Sequence, residues 1–377
     1  MKKTLFISAG DLSGDIAGAR LADAFIKNGW DVFGAGGDNL KNAGVKLLEN
    51  IISKSTIGVI EPVKNIPYFF NLLGKMKHFI KENPPTAAVV IDFWGFHSFL
   101  IKALWRQKIP VFYYISPQIW ASRFGRIKKI KKIVKKVFVI YPFEEKIYRE
   151  FGVPAEFLGN PVAELIPEAQ YNPDSRDIGI LPGSRKDEIK RHLPLLIKVT
   201  EEMKKISSFR YKCFKPPCTD GNLYKNIPGD WEIVEENDYS NRKNLKFAIS
   251  SSGTATLENA LLGIPMVIIY KTSDLSYAVG KNFIKTKFIG LPNILSGELL
   301  SPEFVQAEAR CEKILPVIKD LLRKDKLLVT SHNLLKIRAS LERNNIEENI
   351  FKTISGDRSG SGKIEQNSVI GTVPNIQ

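Results

Sequence analysis

Cysteine is scarce in this sequence, and its scarcity argues against a disulfide-stabilised secreted protein. The 377 residues include three cysteines, Cys213, Cys218 and Cys311, which is an odd and sparse set. A reducing compartment suits such a chain best, so we expect a cytoplasmic protein.

Long hydrophobic runs are also missing. No stretch approaches the roughly 18 apolar residues that a membrane-spanning helix requires. The longest candidate, residues 89–104, is interrupted by Asp92, His97 and Lys102. We therefore expect no spanning helix, and any membrane association should be peripheral.

The usual signatures of metal and cofactor sites are absent as well. The sequence has no Asp-x-Asp pair, no Walker motif and no Gly-x-Ser-x-Gly motif. Its four histidines are scattered, and Cys213 and Cys218 have no second pair with zinc spacing. The sequence thus predicts neither a bound metal nor a cofactor.

Acidic residues are outnumbered by basic ones, 40 to 55, which gives a formal charge of +15. Such a charge favours anionic partners: nucleic acid, a phosphorylated substrate or an anionic membrane face. Residues 123–136 hold eight basic residues and no acid, with isoleucines at helical spacing. No nucleic-acid-binding motif accompanies this basic amphipathic helix, so nucleic acid is the weakest of the three.

Strand-like and helix-like segments alternate along the chain, which predicts an α/β protein with doubly wound parallel sheets. Residues 166–174 carry two prolines and no apolar periodicity, so we interpret them as a linker. This places a first domain at 1–168 and a second at 175–330. The Gly-, Ser- and Asn-rich tail, 356–377, is expected to be mobile.

Two loops of the first half follow predicted strands and carry carboxylates. One contains Asp11, Ser13, Gly14 and Asp15 and opens a helix, where backbone N–H groups attract anions. A plain turn with an N-cap explains that loop equally well. The other begins at Asp92, which could be a general base at a strand end or a helix N-cap.

Two loops of the second half have the same strand–loop–helix placement. In the first, Gly183 and Ser184 expose backbone N–H groups and Arg185 can fork onto a diphosphate. In the second, hydroxyls and N–H groups of 252–254 suit a diphosphate, and Glu258 could accept from ribose hydroxyls. Two anion loops in one half favour a nucleotide-diphosphate site over two simple helix caps.

Two further segments allow two interpretations each. Ser116, Gln118 and Trp120 follow a strand and could contact a sugar, or could form an ordinary loop. Residues 59–73 are very apolar for a segment with two prolines. They could belong to the core or form an exposed patch that meets acyl chains.

Nine motifs in register resemble one known family, the lipid-A-disaccharide synthases, from about residue 4 to residue 310. They are, in chain order, Ser8–Asp15, Ile91-Asp92 with Gly95-Phe96, Tyr114–Ala121, Tyr141–Glu144, Phe157–Pro161, Leu181–Arg185, Ser252–Glu258, Pro265–Val267, and Leu291–Leu295 with Pro302, Glu303 and Gln306. Each motif alone is weak, whereas nine in this order and spacing are specific.

The resemblance implies a GT-B fold, in which two Rossmann-like domains face a cleft and a C-terminal helix, 331–355, crosses back to the first domain. It implies an inverting, metal-independent glycosyltransferase. The donor would be UDP-2,3-diacylglucosamine and the acceptor 2,3-diacylglucosamine 1-phosphate (lipid X). The products would be UDP and a β(1→6) disaccharide of lipid A biosynthesis.

The resemblance also implies roles for particular residues. Asp92 would deprotonate the acceptor hydroxyl, and Arg185 would neutralise the departing diphosphate. The implied donor residues are Gly183, Ser184, Arg185, Ser252, Gly253, Thr254, Glu258, Asn293, Glu303 and Gln306. The implied acceptor residues are Asp11, Ser13, Gly14, Asp15, Ser116, Gln118 and Trp120. The implied membrane contacts, at the inner face of the inner membrane, are Val63, Ile66, Phe69, Phe70, Leu72 and Leu73.

The sequence departs from the family pattern at positions near the expected base. Position 11 is Asp where Glu is usual, position 95 is Gly where many members have a second Asp, and position 97 is His where Asn is common. The base is therefore Asp92, or else Asp11 or Asp15. Other UDP-sugar transferases or epimerases and a non-catalytic membrane protein remain alternatives, and a crossing helix that exchanged between protomers would give a homodimer.

Overall fold

A computed structural model describes residues 2–52, 66–122, 125–216, 219–235, 238–273 and 286–356. The described chain divides into two compact units. Residues up to 161 together with 343–356 form the N-terminal unit, and 162–342 form the C-terminal unit. The division therefore falls before the expected linker and not within it.

A seven-stranded parallel sheet forms the centre of the N-terminal unit, with strand order β3-β2-β1-β4-β5-β6-β7. Its strands are β1 (Thr4–Ala9), β2 (Asp31–Gly36), β3 (Lys46–Asn50), β4 (Ala87–Ile91), β5 (Val111–Tyr114), β6 (Lys136–Val139) and β7 (Ala155–Phe157). Every residue of β4 and β5 is buried. Continuous apolar runs are what a parallel strand covered on both faces requires.

Helices connect these strands. They are α1 (Leu12–Lys27), α2 (Asp38–Asn42), α3 (Ile66–Glu82), α4 (Trp94–Arg106), α5 (Ile119–Ser122), α6 (Gly125–Ile133), α7 (Pro142–Glu150) and α8 (Pro161–Leu165). Helix α1 buries a stripe that includes Leu21, Ala22 and Phe25 against the sheet. The 3.6-residue period of its apolar positions dictates this orientation.

A six-stranded parallel sheet forms the centre of the C-terminal unit, with strand order β10-β9-β8-β11-β12-β13. Its strands are β8 (Asp177–Leu181), β9 (Arg210–Phe214), β10 (Trp231–Val234), β11 (Phe247–Ser251), β12 (Met266–Tyr270) and β13 (Glu303–Val305). The later helices are α9 (Lys186–Lys204), α10 (Thr254–Leu261), α11 (Leu291–Ser296), α12 (Cys311–Leu321), α13 (Lys324–Leu341) and α14 (Ile346–Ser355).

Both sheets reverse their strand order at one place, between β1 and β4 in the first and between β8 and β11 in the second. The loops that leave two neighbouring strands there turn to opposite faces of the sheet and open a crevice at the carboxyl ends. Ligands of open α/β sheets bind at this position. The two reversals therefore locate a candidate site on each unit.

The C-terminal segment expected as one crossing helix, 331–355, is divided between two helices. Helix α13 ends at Leu341 within the C-terminal unit, and only α14 packs on the N-terminal unit. There Glu347 pairs with Arg20 at 3.0 Å, and the ring of Phe351 lies 5.0 Å from that of Phe25. The backbone at Asn345 is left-handed, with φ 59°, and starts the second helix in a new direction.

Residues 166–174, interpreted from the sequence as a linker, are hydrogen-bonded to the C-terminal unit. The Tyr171 hydroxyl donates to the Lys246 carbonyl at 2.7 Å, and Arg338 donates to the Ile166 carbonyl at 2.7 Å. Composition alone does not predict such bonds, because a proline-rich polar stretch has the same composition whether it is a free linker or is hydrogen-bonded to a domain. Among the described helices, none is long and apolar enough to cross a membrane.

Candidate functional site

The loop after β4 carries the expected base in an unusual backbone conformation. Asp92 and Phe93 both have left-handed φ angles, 46° and 47°. Each such residue costs roughly 1–3 kcal/mol unless its surroundings hold it. The Asp92 carbonyl accepts bonds from the Tyr113 hydroxyl at 2.6 Å and from His97 Nδ1 at 2.8 Å. These two donors fix the sharp turn that ends β4.

His97 is fully buried and links two strand ends. Its Nε2 lies 2.9 Å from the Ser8 hydroxyl of β1, and its Nδ1 faces the Asp92 carbonyl. Since a carbonyl only accepts, Nδ1 carries the proton and Nε2 accepts from Ser8. Burial lowers the pKa of His97 to about 4, so the ring is neutral near pH 7.

Asp11 faces Asp92 across the point where the strand order reverses. Its carboxylate caps α1, accepting from the Gly14 N–H at 2.7 Å and from the Ser13 hydroxyl at 3.2 Å. Burial, followed by the charge of Asp11, raises the pKa of Asp92 to about 6. A carboxylate with this pKa can both take and release a proton near neutral pH.

The two loops pack directly on each other at Gly10. A Cβ atom added to Gly10 would lie 2.2 Å from the ring of Phe93. Only glycine allows this approach, so the turn after β1 and the turn after β4 form one wall. Phe93 itself precedes α4 without any side-chain cap bond, and Asp92 does not act as the cap of that helix.

Arg126 is a site residue that the motifs missed. Its guanidinium carbon lies 5.5 Å from the centre of the Trp94 ring, and its charge acts to lower the pKa of Asp92. The sequence offered one signal, the basic run 123–136, but gave no reason to single out this position. A guanidinium beside a general base is suited to hold an anionic substrate; residues 123 and 124 lie outside the described ranges.

Several predicted acceptor residues have structural partners. The Asp15 carboxylate is buried and accepts from the Gly37 N–H at 2.6 Å and from the Asn39 N–H at 2.9 Å. Trp120 is 2% exposed and donates to Glu144 at 2.8 Å. Burial raises the pKa of Glu144 to about 7. These contacts brace the loops from within and give neither side chain a surface for sugar.

The other predicted acceptor positions differ in exposure. Ser116 is buried beside Tyr148, whereas Gln118 is exposed. Ser13 is exposed, and the N–H of Gly14 is occupied by Asp11. Of the N-terminal set, Asp11, Ser13 and Gln118 therefore reach the surface, together with Asp92, which is half-buried.

The first donor loop of the C-terminal unit turns at Gly183, whose φ is 117°. A side chain there would be strained, and its Cβ would approach Glu188 to 2.9 Å. Ser184 and Arg185 are exposed at the start of the 19-residue helix α9. The Arg185 guanidinium forms an ion pair with Glu188 at 2.7 Å, and the Arg185 side chain is 65% exposed. It is therefore accessible to an anion that binds at this loop.

The second donor loop joins β11 to α10 through Ser252, Gly253 and Thr254. Gly253 and Thr254 are exposed, and the Ser252 hydroxyl donates to the Ile289 carbonyl at 2.8 Å. Glu258, expected to hold a ribose, forms an ion pair with Arg242 and accepts from the Tyr239 hydroxyl at 3.2 Å. Any ribose contact would share Glu258 with these two partners.

Three more predicted donor residues form the framework of the following segment. Glu303 accepts from the Ile289 and Gly290 N–H groups at 2.9 and 2.8 Å, and from Asn293 at 2.8 Å. Burial raises the pKa of Glu303. Gln306 bonds both backbone groups of Thr272, at 2.7 and 3.2 Å. These side chains shape the loop edge through backbone contacts.

His192 is a further framework residue that the sequence did not reveal. Its Nδ1 donates to the Pro182 carbonyl at 2.7 Å, and its Nε2 accepts from the Lys271 N–H at 2.8 Å. Because the Lys271 N–H can only donate, the ring is neutral with its proton on Nδ1. His192 thereby ties the loop after β8 to the end of β12.

The predicted membrane contacts are only partly exposed. Leu72 and Leu73 are 3% and 5% exposed and belong to the core, which corrects their expected role. A helix with an apolar face toward the sheet has to bury those positions. Phe69 packs on Phe93 and Phe96, while Phe70 is 57% exposed. Val63 and the side chain of Ile66 lie outside the described residues.

Two parallel sheets, each with an anion-compatible crevice at its strand-order reversal, define a GT-B glycosyltransferase fold. Solved structures agree with this class. The calicheamicin glycosyltransferase matches at a TM-score of 0.62 with 13% identity, covering 95% of this chain and 100% of its own. The Staphylococcus aureus MnaA–UDP structure matches at 0.62 with 13% identity, covering 94% and 96%. At this identity the likeness concerns the fold alone.

The sequence comparisons specify the family. The family model described as lipid-A-disaccharide synthetase matches residues 5–353. The lipid-A-disaccharide synthase of Geobacter metallireducens is 34% identical over 83% of this chain and 86% of its own. That of Coxiella burnetii is 33% identical over 93% of this chain and 98% of its own. The chain belongs to the lipid-A-disaccharide synthase family, as its motifs predict.

Proposed function

We propose that the protein transfers 2,3-diacylglucosamine from UDP-2,3-diacylglucosamine to lipid X, releasing UDP and the β(1→6) lipid A disaccharide 1-phosphate. The family match over residues 5–353 carries this proposal. The reaction is an inverting, metal-independent glycosyl transfer. Other UDP-sugar reactions of the fold, including epimerisation, are the alternatives, and the experiment described below distinguishes them.

The acceptor is assigned to the N-terminal crevice. Asp92 takes the proton of the acceptor 6-hydroxyl as that oxygen attacks the anomeric carbon of the donor, and UDP leaves with the bonding electrons. The pKa of about 6 supports this role because most of the carboxyl group is ionised at pH 7. Arg126 is assigned to the acceptor phosphate, and Asp11 tunes Asp92.

The donor is assigned to the C-terminal crevice. The backbone N–H groups at 183–185 and those of Gly253 and Thr254 are suited to a diphosphate, since both loops open helices, whereas the Ser252 N–H is already bonded to the Ile269 carbonyl. Arg185 exchanges Glu188 for the diphosphate and stabilises the charge that develops there as UDP departs. Glu258, Asn293, Glu303 and Gln306 support the nucleotide side of this crevice.

Because its substrates are lipids, the protein is assigned a membrane contact, at the inner face of the inner membrane. Phe70 and Phe99 are 57% and 50% exposed, with their rings 5.9 Å apart. Lys129 of α6 lies over Phe99 at 5.4 Å. Exposed rings beside cations suit the interface of an anionic bilayer.

The proposed oligomeric state is a homodimer in which the two protomers exchange α14. Light scattering, which measures the molar mass in solution, tests this proposal.

The deciding experiment measures UDP release from UDP-2,3-diacylglucosamine, with and without lipid X, in the presence of EDTA. Acceptor-dependent release is expected, and both Asp92→Ala and Arg185→Ala should lower kcat at least about 10²-fold. Asp23→Ala, which removes a carboxylate paired with Lys27 on the surface of α1, is the matched control.

Three results would contradict parts of the proposal. Release from UDP-GlcNAc but not from the acylated donor would favour a soluble-sugar enzyme. Turnover of Asp92→Ala within a few-fold of wild type would transfer the role of base to Asp11, since the Asp15 carboxylate is buried and accepts from backbone N–H groups. Vesicle binding without any turnover would indicate a non-catalytic membrane protein.

A further inference from the structure

The connection between β10 and β11 carries an arginine to which the proposed reaction gives no role. Arg242 begins a short 3₁₀ turn, Arg242–Asn244, and is 8% exposed. A guanidinium is always charged, and burying such a charge is costly unless it is paired and hydrogen-bonded. The groups around Arg242 therefore indicate what the buried charge does.

Two aromatic rings hold the Arg242 guanidinium. Its central carbon lies 5.3 Å from the centre of the Phe214 ring and 5.4 Å from the centre of the Tyr239 ring. Phe214 is the last residue of β9 and is itself buried. A planar guanidinium packs well on aromatic faces, and contact with two rings restricts its orientation.

The guanidinium and the Tyr239 hydroxyl both donate to the carboxylate of Glu258. Arg242 forms an ion pair with Oε2, and the Tyr239 hydroxyl donates to Oε1 at 3.2 Å. With one donor on each oxygen, the plane of the carboxylate is fixed. In the part of the chain that the structure describes, these donors fill two of its roughly four acceptor positions. The carboxylate can therefore still accept from two hydroxyls.

Tyr239 reaches Glu258 from an unusual backbone conformation. Its φ is 60°, a left-handed value that bulky residues rarely adopt. Its carbonyl accepts from the Lys243 N–H at 3.0 Å, and the neighbouring Asn241 side chain accepts from Lys212 of β9 at 3.1 Å. The turn is thus fastened to the sheet, which keeps the hydroxyl of Tyr239 on Glu258.

Glu258 lies one helical turn from the loop assigned to the diphosphate. It follows Thr254, the first residue of α10, by four positions, so the two side chains share a face with Cβ atoms roughly 5–6 Å apart. Thr254 is exposed and Glu258 is partly exposed. In a nucleoside diphosphate the ribose adjoins the phosphates. A diphosphate at the start of α10 would therefore place its ribose beside Glu258.

We propose that Arg242 is a positioning residue for ribose recognition, an inference that rests on the donor assignment of the proposed function. Together with Tyr239 it holds the Glu258 carboxylate ready to accept from the 2′- and 3′-hydroxyls of the nucleotide. Arg242 itself does not contact the nucleotide. A carboxylate that is already ordered loses less entropy on binding, so the pair sets a preference for ribonucleotides over 2′-deoxynucleotides.

The test measures the Kd of UDP and of 2′-deoxy-UDP by titration calorimetry, without any lipid substrate or turnover. Wild type should bind UDP at least about 10-fold more tightly, as expected for a hydrogen bond to a charged group. Arg242→Met keeps an unbranched side chain between the rings and should reduce this preference to about twofold or less. Glu258→Ala should abolish the same preference, and the double variant should show no further loss, because Arg242 acts through Glu258.

Two further variants separate recognition from folding. Arg338 is the matched control, since its side chain is 11% exposed, pairs with Glu342 and donates to the Leu261 carbonyl at 3.0 Å, at the far end of α10. Arg338→Met should lower the Tm and leave the preference for UDP within about twofold of wild type. Tyr239→Phe removes one hydroxyl from a partly exposed residue and should lower the preference several-fold at nearly the wild-type Tm.

Four outcomes would overturn the inference, and they have different meanings. A preference that Arg242→Met leaves unchanged would make the ion pair purely structural, with the donor site intact. Equal affinity of wild type for UDP and 2′-deoxy-UDP would show that Glu258 does not recognise the ribose. If Arg242→Met lost discrimination between UDP and UMP, the arginine would be a direct ligand of the diphosphate. Absence of UDP binding by wild type would remove the donor assignment itself.

Discussion

At the scale of single residues, the Asp11–Asp92 pair sets the pH dependence of the proposed reaction. Burial and the charge of Asp11 raise the pKa of Asp92 to about 6, and the base acts in its ionised form. Activity should therefore rise as the pH increases through about 6. Asp11→Asn removes the charge while keeping a good N-cap for α1. The acid limb of the kcat/KM profile should then move to lower pH.

Asp23→Asn is the control for this pH profile, since its carboxylate pairs with Lys27 and lies on another turn of α1. Its acid limb should coincide with that of wild type. An unchanged acid limb in Asp11→Asn would show that the two carboxylates do not interact in the working enzyme, and would leave burial as the sole cause of the raised pKa.

The Tyr113 hydroxyl is predicted to position Asp92 and not to take part in the chemistry. Tyr113→Phe deletes one of the two donors to the Asp92 carbonyl, at a cost of about 0.5–1.5 kcal/mol in unfolding free energy. We expect kcat to fall several-fold with little change in KM, because the turn loosens while the binding surface stays. Stability is read by denaturant unfolding.

Tyr224→Phe is the matched control for Tyr113→Phe. The Tyr224 hydroxyl is buried and has no hydrogen-bond partner among the residues that the structure describes. Its removal should leave both stability and kinetics unchanged. A fall of KM and kcat in equal proportion in Tyr113→Phe would contradict a positioning role.

At the scale of secondary-structure elements, His192 links two strand ends of the C-terminal unit and should make its stability pH-dependent. Burial lowers the pKa of His192, so the folded ring resists protonation. The unfolded state binds a proton below its pKa of about 6.5, and the folded state does not. The stabilisation is therefore present above that pH and is lost as the pH falls below it.

The measurement is the free energy of unfolding at about one unit above and one unit below pH 6.5. His192→Gln should be less stable than wild type at the higher pH and should lose less stability on acidification. His332→Gln, at an exposed position of α13, is the control and should follow wild type. A pH dependence that His192→Gln leaves intact would assign the effect to another group, with His97 the next candidate.

Element type and the location of the crevices were largely predictable, for a physical reason. Buried parallel strands are largely apolar runs that can be located in a sequence, as Ala87–Ile91 and Asp177–Leu181 are here. A carboxylate or glycine after such a run has to lie at the carboxyl edge of the sheet. That rule alone predicts the location of Asp92 and Gly183 at the carboxyl edges of their sheets.

The partners of individual side chains were not predictable, because they depend on residues far along the chain. Trp120 was predicted to contact a sugar, but its N–H donates to Glu144. Asp15 was predicted to face the acceptor, but its carboxylate accepts from the backbone of 37–39. Leu72 and Leu73 are apolar, and an apolar side chain suits a protein core and a membrane surface equally well, so the sequence alone does not distinguish these two locations. Arg126 and His192 carry no motif, and only the folded chain shows what they contact.

At the scale of the whole molecule, the chain returns to its first unit through α14, and this return should stabilise the acceptor side. Phe351 packs edge-to-face on Phe25 and Trp30, with ring centres at 5.0 and 6.2 Å. Phe351→Ala should cost about 3–5 kcal/mol, since it empties a buried site between α1 and α14. Calorimetry should then show the N-terminal unit melting at a lower temperature than in wild type.

The same variant tests whether the two units are energetically separate. The donor crevice belongs to residues 162–342, so UDP binding by Phe351→Ala, measured by titration calorimetry below the first transition, should stay within about twofold of wild type. Phe70→Ala, which truncates a ring that is 57% exposed, is the control and should shift stability by less than about 0.5 kcal/mol. A single transition that Phe351→Ala lowers for both units, together with lost UDP binding, would mean that the units fold as one cooperative body, and that α14 stabilises the donor crevice as much as the sheet on which it packs.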